Sequence, residues 1–215
     1  MRFAVHFLAL LVLLSTGHSF ADDAFFLMSG DDGGLYFLEQ GETAELIGIL
    51  QPESDLSGLV NFGDFLLTLD RGSNEIITID KSTAAIVSEV PLDVDVFITR
   101  RGIAVNESGV VFGIFDGNQL RTVNTTTGAT NLVAVVSGAE RIEALAFGID
   151  GTLFAAGSEE DDLNSENVYT LNIDTGVLEL IGATGVTDLD ALTVGQDGML
   201  YGCLLYTSPS PRDRG

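Results

Sequence analysis

The chain repeats itself with a period of 41 to 48 residues. The strings LYFLEQGETAELIGI from Leu35, IITIDKSTAAIVSEV from Ile76, LRTVNTTTGATNLVA from Leu120 and VYTLNIDTGVLELIG from Val168 are versions of one hairpin, with starts 41, 44 and 48 residues apart. A second hairpin precedes most of them: VNFGDFLLTLD, IAVNESGVVFGIF, LAFGIDGTLFAAG and LTVGQDGMLYG. Two hairpins in each period of this length are the mark of a β-propeller blade, whose four antiparallel strands run outward from a central channel. The apolar runs are short, rich in Val, Ile, Leu, Phe and Tyr, and punctuated by Gly, Asp and Asn. No stretch between the termini keeps a helical period, so the expected class is all-β.

The strand signals divide the repeats into about four blades plus the start of a fifth. Blade 1 covers residues 24–50 with three strands, FFLMS, LYFLE and ELIGIL. Blades 2, 3 and 4 cover 57–91, 102–137 and 143–182 with four strands each, and a fifth blade begins at Leu189 and breaks off at Gly202. Asp150-Gly151 and Asp197-Gly198 read as two-residue hairpin turns, with Ser108-Gly109 in the same place in blade 3. Gly128 and Gly176 supply left-handed positions in the outer hairpins. Third strands such as VYTLNI and EIITID are apolar on both alternations, as expected of strands covered on both faces by neighbouring blades. Blade 1 is one strand short, which implies completion by the opposite terminus. A ring of the usual size calls for roughly two to four further blades.

The two ends read differently from the repeats. Residues 1–21 carry Arg2, an apolar run from Phe3 to Leu14, and small residues Ser19 and Ala21 before Asp22. This is the pattern of a secretory signal peptide, and it places the protein in the periplasm or outside the cell. An uncleaved anchor is the alternative, and no later segment is long and apolar enough to span a bilayer. At the other end, CLLYTSPSPRDRG (203–215) abandons the strand pattern in mid-blade. Its stretch Cys203–Asp213 resembles the translation of a sequencing-library adapter, so the propeller domain is taken as 22–202 and the natural chain is expected to continue past Gly202.

Residues 22–202 contain no His, Cys or Trp, because His6, His18 and Cys203 fall outside and the chain has no Trp. A Ser-His-Asp or Cys-His relay and a typical zinc site are therefore excluded within this span. No disulfide can form there, so stability must come from a sizeable core. Six basic residues face 31 acidic ones, a net charge of −25. Nucleic acid and anionic membranes are poor partners for such a field, whereas cationic ligands and divalent cations suit it. Solubility in salt is the plainer account of the same charge.

The blade formula is carried by Glu143-Ala144-Leu145, Asp150-Gly151-Thr152-Leu153-Phe154, Val168-Tyr169-Thr170-Leu171 and Asp174-Thr175-Gly176. Asp190-Ala191-Leu192 and Asp197-Gly198-Met199-Leu200-Tyr201 repeat it. It resembles secreted bacterial propellers of the YVTN and quinoprotein-like type, and an exported propeller family that often carries cell-surface sorting tails. The resemblance implies a blade and not a reaction.

One polar position recurs. Glu143 and Asp190 each precede Ala-Leu at the start of an innermost strand, and Arg101 holds the place in blade 3. Arg141 and Asp188 fall two residues before Glu143 and Asp190, on the same strand face if the extended period holds. Together these five form a candidate ligand site at a channel mouth. Asp93 and Asp95 in the PLDVDV linker are candidate metal ligands there, and oxygen-only donors suit Ca²⁺. A second candidate is the segment Gly157–Asn167, read as a loop inserted between the second and third strands of blade 4. Its Glu159, Glu160, Asp161 and Asp162, with Asn164 and Glu166, are possible Ca²⁺ donors without EF-hand spacing. For the first set the structural alternative is that each carboxylate caps backbone N–H groups of the next blade. For the second it is a solvated charged loop. Asn106-Glu107-Ser108 and Asn124-Thr125-Thr126 match the N-glycosylation acceptor pattern.

Two functions fit these residues. The first is a secreted binding or surface-interaction module for an extracellular ligand or protein, with no catalytic machinery in this span. The second is a propeller hydrolase or lyase with a carboxylate-lined, calcium-holding channel mouth.

Overall fold

The computed structural model describes residues 24–28, 33–39, 42–50, 56–96, 102–115, 118–139, 141–159, 162–186, 189–195 and 197–204. The signal-peptide segment, Arg101, Glu160, Asp161 and Asp188 lie outside the described residues, as does the chain from 205 onward.

The described chain is nearly all β and forms a propeller. Strands β1 (Ala24–Met28), β2 (Gly34–Glu39) and β3 (Glu45–Ile49) make a three-stranded antiparallel sheet. The second blade is β4 (Leu56–Phe62), β5 (Phe65–Asp70), β6 (Glu75–Asp80) and β7 (Ile86–Pro91) in sequence order. The third is β8 (Ile103–Val105), β9 (Val111–Phe115), β10 (Gln119–Val123) and β11 (Thr130–Val135). The fourth is β12 (Arg141–Phe147), β13 (Leu153–Glu159), β14 (Asp162–Leu171) and β15 (Leu178–Ala183). A last hairpin pairs β16 (Leu189–Val194) with β17 (Leu200–Leu204). That pairing takes in Cys203 and Leu204, so the strand reaches two residues into the segment that resembles an adapter.

Among the described residues the innermost strands β4, β8, β12 and β16 touch in succession, and β16 returns to β4. The five sheets are the four blades and the start of a fifth that the repeat predicts, and the innermost strands present draw them into a ring. At the closure Phe25 of β1 packs on Tyr201 of β17 with ring centroids 5.0 Å apart. By alignment to the other blades, the three-stranded sheet lacks its innermost strand.

The core lies between blades rather than within them, because each sheet buries both faces against its neighbours. Leu35 of blade 1 packs with Leu66, Ile77 and Ile79 of blade 2. The opposite face of blade 2, with Leu67, Leu69 and Ile76, meets Ile103, Val111 and Phe115 of blade 3. Ile114 and Leu120 of blade 3 meet Ile142, Leu145 and Tyr169 of blade 4. Ala144 and Ala156 meet Leu189 and Leu192 of the last hairpin. Adjacent residues such as Ile76 and Ile77 therefore serve different cores, which is why the third strands are apolar on both alternations. Each such side chain, when fully buried, contributes about 1.5–3 kcal/mol.

The outer hairpins share one turn in three blades. Asp80, Asn124 and Asn172 each accept hydrogen bonds through Oδ1 from the backbone N–H groups two and three residues on, at 2.9–3.1 Å. The residue four positions on then takes a left-handed conformation: Gly128 at φ 72°, Gly176 at 73°, and Ala84 at 57°. These turns also seat on the preceding blade. A Cβ added at Gly128 would strike the Pro91 carbonyl, and one at Gly176 the Val135 carbonyl.

The inner hairpins differ from the expected two-residue turns. Gly148 N–H donates to Thr152 O at 2.7 Å and Gly151 N–H to Gly148 O at 3.0 Å. Gly195, Met199 and Gly198 repeat the pattern, as do Asn106, Val110 and Gly109. These are three-residue loops with a left-handed glycine at the end, φ 83°, 78° and 77°. The acidic residue before the glycine stabilises the loop locally: Asp150 accepts from Thr152 N–H and Asp197 from Met199 N–H. Among the described inner hairpins, Gly63-Asp64 in blade 2 is the two-residue turn, closed by the Phe62–Phe65 pair, with Gly63 at φ 59°.

Candidate functional site

The recurrent polar position has a structural cause that alternation cannot express. In β12 the register slips between Ile142 and Ala144, so Glu143 is the extra residue of a β-bulge. The same slip falls at Gly58 in β4, between Ser57 and Leu59, and at Asp190 in β16, between Leu189 and Ala191. A bulge adds a residue and re-aims the side chains around it. Here it resets the strand faces: Ile142 and Leu145, three apart, both enter the core toward blade 3. Ala144 and Ala146 enter the core toward the last hairpin. The Arg141 and Glu143 side chains, expected on one face, still meet beside the bulge. The partner strand makes room with Gly157, where a Cβ would strike the Arg141 carbonyl.

Glu143 is 5% exposed and ion-paired with Arg141, which keeps a partly open guanidinium. The Arg141 Nε is buried and has no hydrogen-bond partner among the described residues. The backbone of Asp190 occupies the equivalent bulge one sheet further on. Of the five residues expected at this mouth, the structure thus brings together Arg141 and Glu143, and it places Asp190 at the matching bulge.

Asp93 is held between blades. Both of its carboxylate oxygens accept from Thr130 N–H, at 3.0 and 3.1 Å, and its own N–H donates to Gly128 O at 3.2 Å. The Thr130 hydroxyl and backbone amide hold its carboxyl below the usual range. Ser137 bridges the next pair of blades in the same way, donating its N–H to Gly176 O and accepting from Leu178 N–H. Asp95 is exposed nearby. The linker that carries both aspartates is pinned by Asn74, whose side chain donates to Leu92 O and Val94 O and accepts from Val96 N–H.

The expected loop Gly157–Asn167 is instead mostly strand. Leu153–Glu159 and Asp162–Leu171 pair as one long hairpin, with Glu159 opposite Asp162. Glu166 is buried at the place of Asn74 and takes over its task, its carboxylate accepting from Leu189 N–H at 2.9 Å. Among the described residues no group of three or more His, Cys, Asp or Glu side chains is gathered as a metal site. No helix there is long and apolar enough to cross a membrane.

The opposite mouth, formed by the inner-hairpin turns, does not stand out in the sequence. The turns of blades 2, 3 and 4 surround an open depression of about 770 Å³. Phe62, Phe65, Val105, Phe147 and Ile149 line it, with Asn61, Asp64, Asn106 and Glu107 at the polar positions. Phe147 is fixed by an edge-on contact with Phe112 at 5.4 Å. Ile149, at a turn tip, is 74% exposed. The available signal is an apolar residue at the end of each innermost strand followed by an acidic turn.

No family model matches the chain, and no curated protein matches it. Solved structures share its fold. Virginiamycin B lyase from Staphylococcus aureus is 14% identical with a TM-score of 0.51, the match covering 85% of this chain and 63% of that one. Glutaminyl cyclase from Myxococcus xanthus is 17% identical with a TM-score of 0.56, covering 82% and 84%. A chain of the nidogen/laminin complex is 12% identical with a TM-score of 0.57, covering 81% and 66%. The chain spans about two thirds of the lyase and of the nidogen/laminin chain. Similarity at this level shows a β-propeller and nothing finer.

Proposed function

We propose that this protein is an exported β-propeller that serves as a binding module, with its ligand received at the mouth formed by the inner-hairpin turns. The observation that carries this reading is the depression of about 770 Å³ where apolar side chains from three blades face solvent. Its volume lies in the range of ligand sites, and Ile149 stands largely in water at its rim. The fold is shared by a chain of a protein–protein complex and by enzymes alike, so it favours neither function by itself.

The neutral dye Nile red tests the mouth directly. Ile149→Asp removes an apolar surface without touching a core. The full chain should enhance dye fluorescence, and Ile149→Asp should lose most of that signal at an unchanged melting temperature. An equal signal from both proteins would refute the assignment.

A second reading, a cation held at the linker-side mouth of an enzyme, draws support from the bulges that align Glu143 and Asp190. The Arg141 guanidinium on Glu143 weighs against it, because a cation already neutralises that carboxylate. A rise in melting temperature with Ca²⁺, abolished by Glu143→Ala combined with Asp190→Ala, would favour this reading. No shift would end it.

A further inference from the structure

The inner-hairpin mouth combines an apolar floor with a predominantly acidic rim. Phe62 and Phe147 belong to the floor, and Asp64 and Glu107 stand on adjacent turns of the same depression. Among the described residues neither carboxylate has an ion-pair partner, and no basic side chain lines the depression. Lys81 donates to the Gly63 carbonyl at 2.6 Å and so sets one cation beside Asp64 on the blade 2 turn, leaving Glu107 and the other turn acids without one among the described residues. The remaining turns continue the sign with Asp150 and Asp197, so each inner hairpin from blade 2 onward carries an acid at its tip.

This arrangement selects on two criteria at once. The net charge of −25 over 22–202 repels anions at a distance and draws cations in. A bare inorganic ion would leave the phenylalanine faces wet. A lysine or arginine side chain satisfies both criteria, since its aliphatic stem lies on apolar surface while its head reaches a carboxylate. Its charge also gains from an aromatic face. The depression is open and spans three blades, so a single side chain covers only a fraction of it. A polypeptide segment with apolar residues on either side of the cation covers the rest.

We propose that this mouth docks a cationic, apolar-flanked polypeptide segment of a partner protein, with Asp64 and Glu107 receiving its lysine or arginine head. The proposal rests on the binding-module reading above and names the partner's chemistry.

The probe is an end-blocked, fluorescently labelled peptide of sequence Phe-Lys-Phe-Lys-Phe, with Phe-Glu-Phe-Glu-Phe and Gly-Lys-Gly-Lys-Gly as controls. Anisotropy should report binding of the first to the full chain and neither control at comparable concentration. Binding should weaken as salt rises from about 0.05 M to about 0.5 M, where screening shortens to a few ångströms. Asp64→Asn combined with Glu107→Gln should weaken it about tenfold, the scale of two exposed charge pairs. Because both side chains are exposed, that variant keeps its fold, which an unchanged melting temperature verifies. Equal binding of the glutamate peptide, or an unaffected double variant, overturns the proposal. So does displacement of the peptide by millimolar Ca²⁺, which would assign the same acids to a metal. If Nile red binds and no peptide does, the partner class is wrong and the mouth stands. If neither binds, the binding-module reading fails as well.

Discussion

Replacing Gly176 and Gly151 by alanine separates two costs that both turns would otherwise share. Both glycines are left-handed, at φ 73° and 83°. Placing alanine there costs about 1–2 kcal/mol of backbone strain. Alanine also narrows the unfolded ensemble, by an amount common to both sites that cancels in the comparison. The surroundings differ. Nothing lies within 4 Å of a Cβ at Gly151, whereas one at Gly176 would strike the Val135 carbonyl and lie 2.8 Å from its carbon. Forcing that contact means moving blade 4 off blade 3, an overpacking cost of about 1–3 kcal/mol. Gly151→Ala should therefore cost about 1–2 kcal/mol, and Gly176→Ala about 2–5 kcal/mol. At about 2–4 °C per kcal/mol for a domain of this size, the melting temperature should fall by about 2–8 °C and about 4–20 °C respectively. Thermal unfolding followed by circular dichroism measures both. Equal falls would refute the claim that each outer turn docks on the preceding blade.

Other expectations follow from the same geometry. Ser82 and Thr83 hold the Asp80 carboxyl below its usual range, through their hydroxyls first. Its ionised form therefore stabilises the fold above about pH 4, and that gain disappears as pH falls through the lowered value. Asp80→Asn, which installs the residue found at 124 and 172, should remove this acid-side loss from a melting-temperature series between about pH 2 and 6. Glu166→Ala leaves the buried Leu189 N–H without its acceptor and should cost about 1–3 kcal/mol in urea unfolding, with Glu166→Gln recovering most of it. Ala84→Gly, at φ 57°, relieves left-handed strain but forfeits a packed methyl against Gly48, so its stability should stay within about 1 kcal/mol of the parent.

The blades are legible in the sequence because hairpins are local: alternating apolar residues, a turn with glycine, and a period long enough for four strands. The left-handed Gly128 and Gly176 follow from the same turn chemistry. The site is less legible because a bulge leaves no mark in composition. Glu143 looks like an alternating strand residue, and only its pairing with Gly157's strand reveals the extra residue. The acidic hairpin of blade 4 reads as a loop because its charges mask the strand pairing of Glu159 with Asp162. Glu166 illustrates the limit most clearly. It belongs to that acidic run by sequence, yet its alignment with Asn74 places it in a buried clamp on the next linker. The inner-hairpin mouth is hidden because its residues come from three separate repeats, and their convergence is a property of the closed ring.

The most direct test of the binding account is a map of where a bound segment lands. Backbone amide shifts of the full chain, recorded by NMR with and without the Phe-Lys-Phe-Lys-Phe peptide, would give that map. The account predicts perturbations at 61–65, 105–109 and 147–149, with the linker-side bulges at Glu143 and Asp190 unmoved. Perturbations centred on 141–143 and 189–191, with the inner-hairpin turns silent, would contradict it.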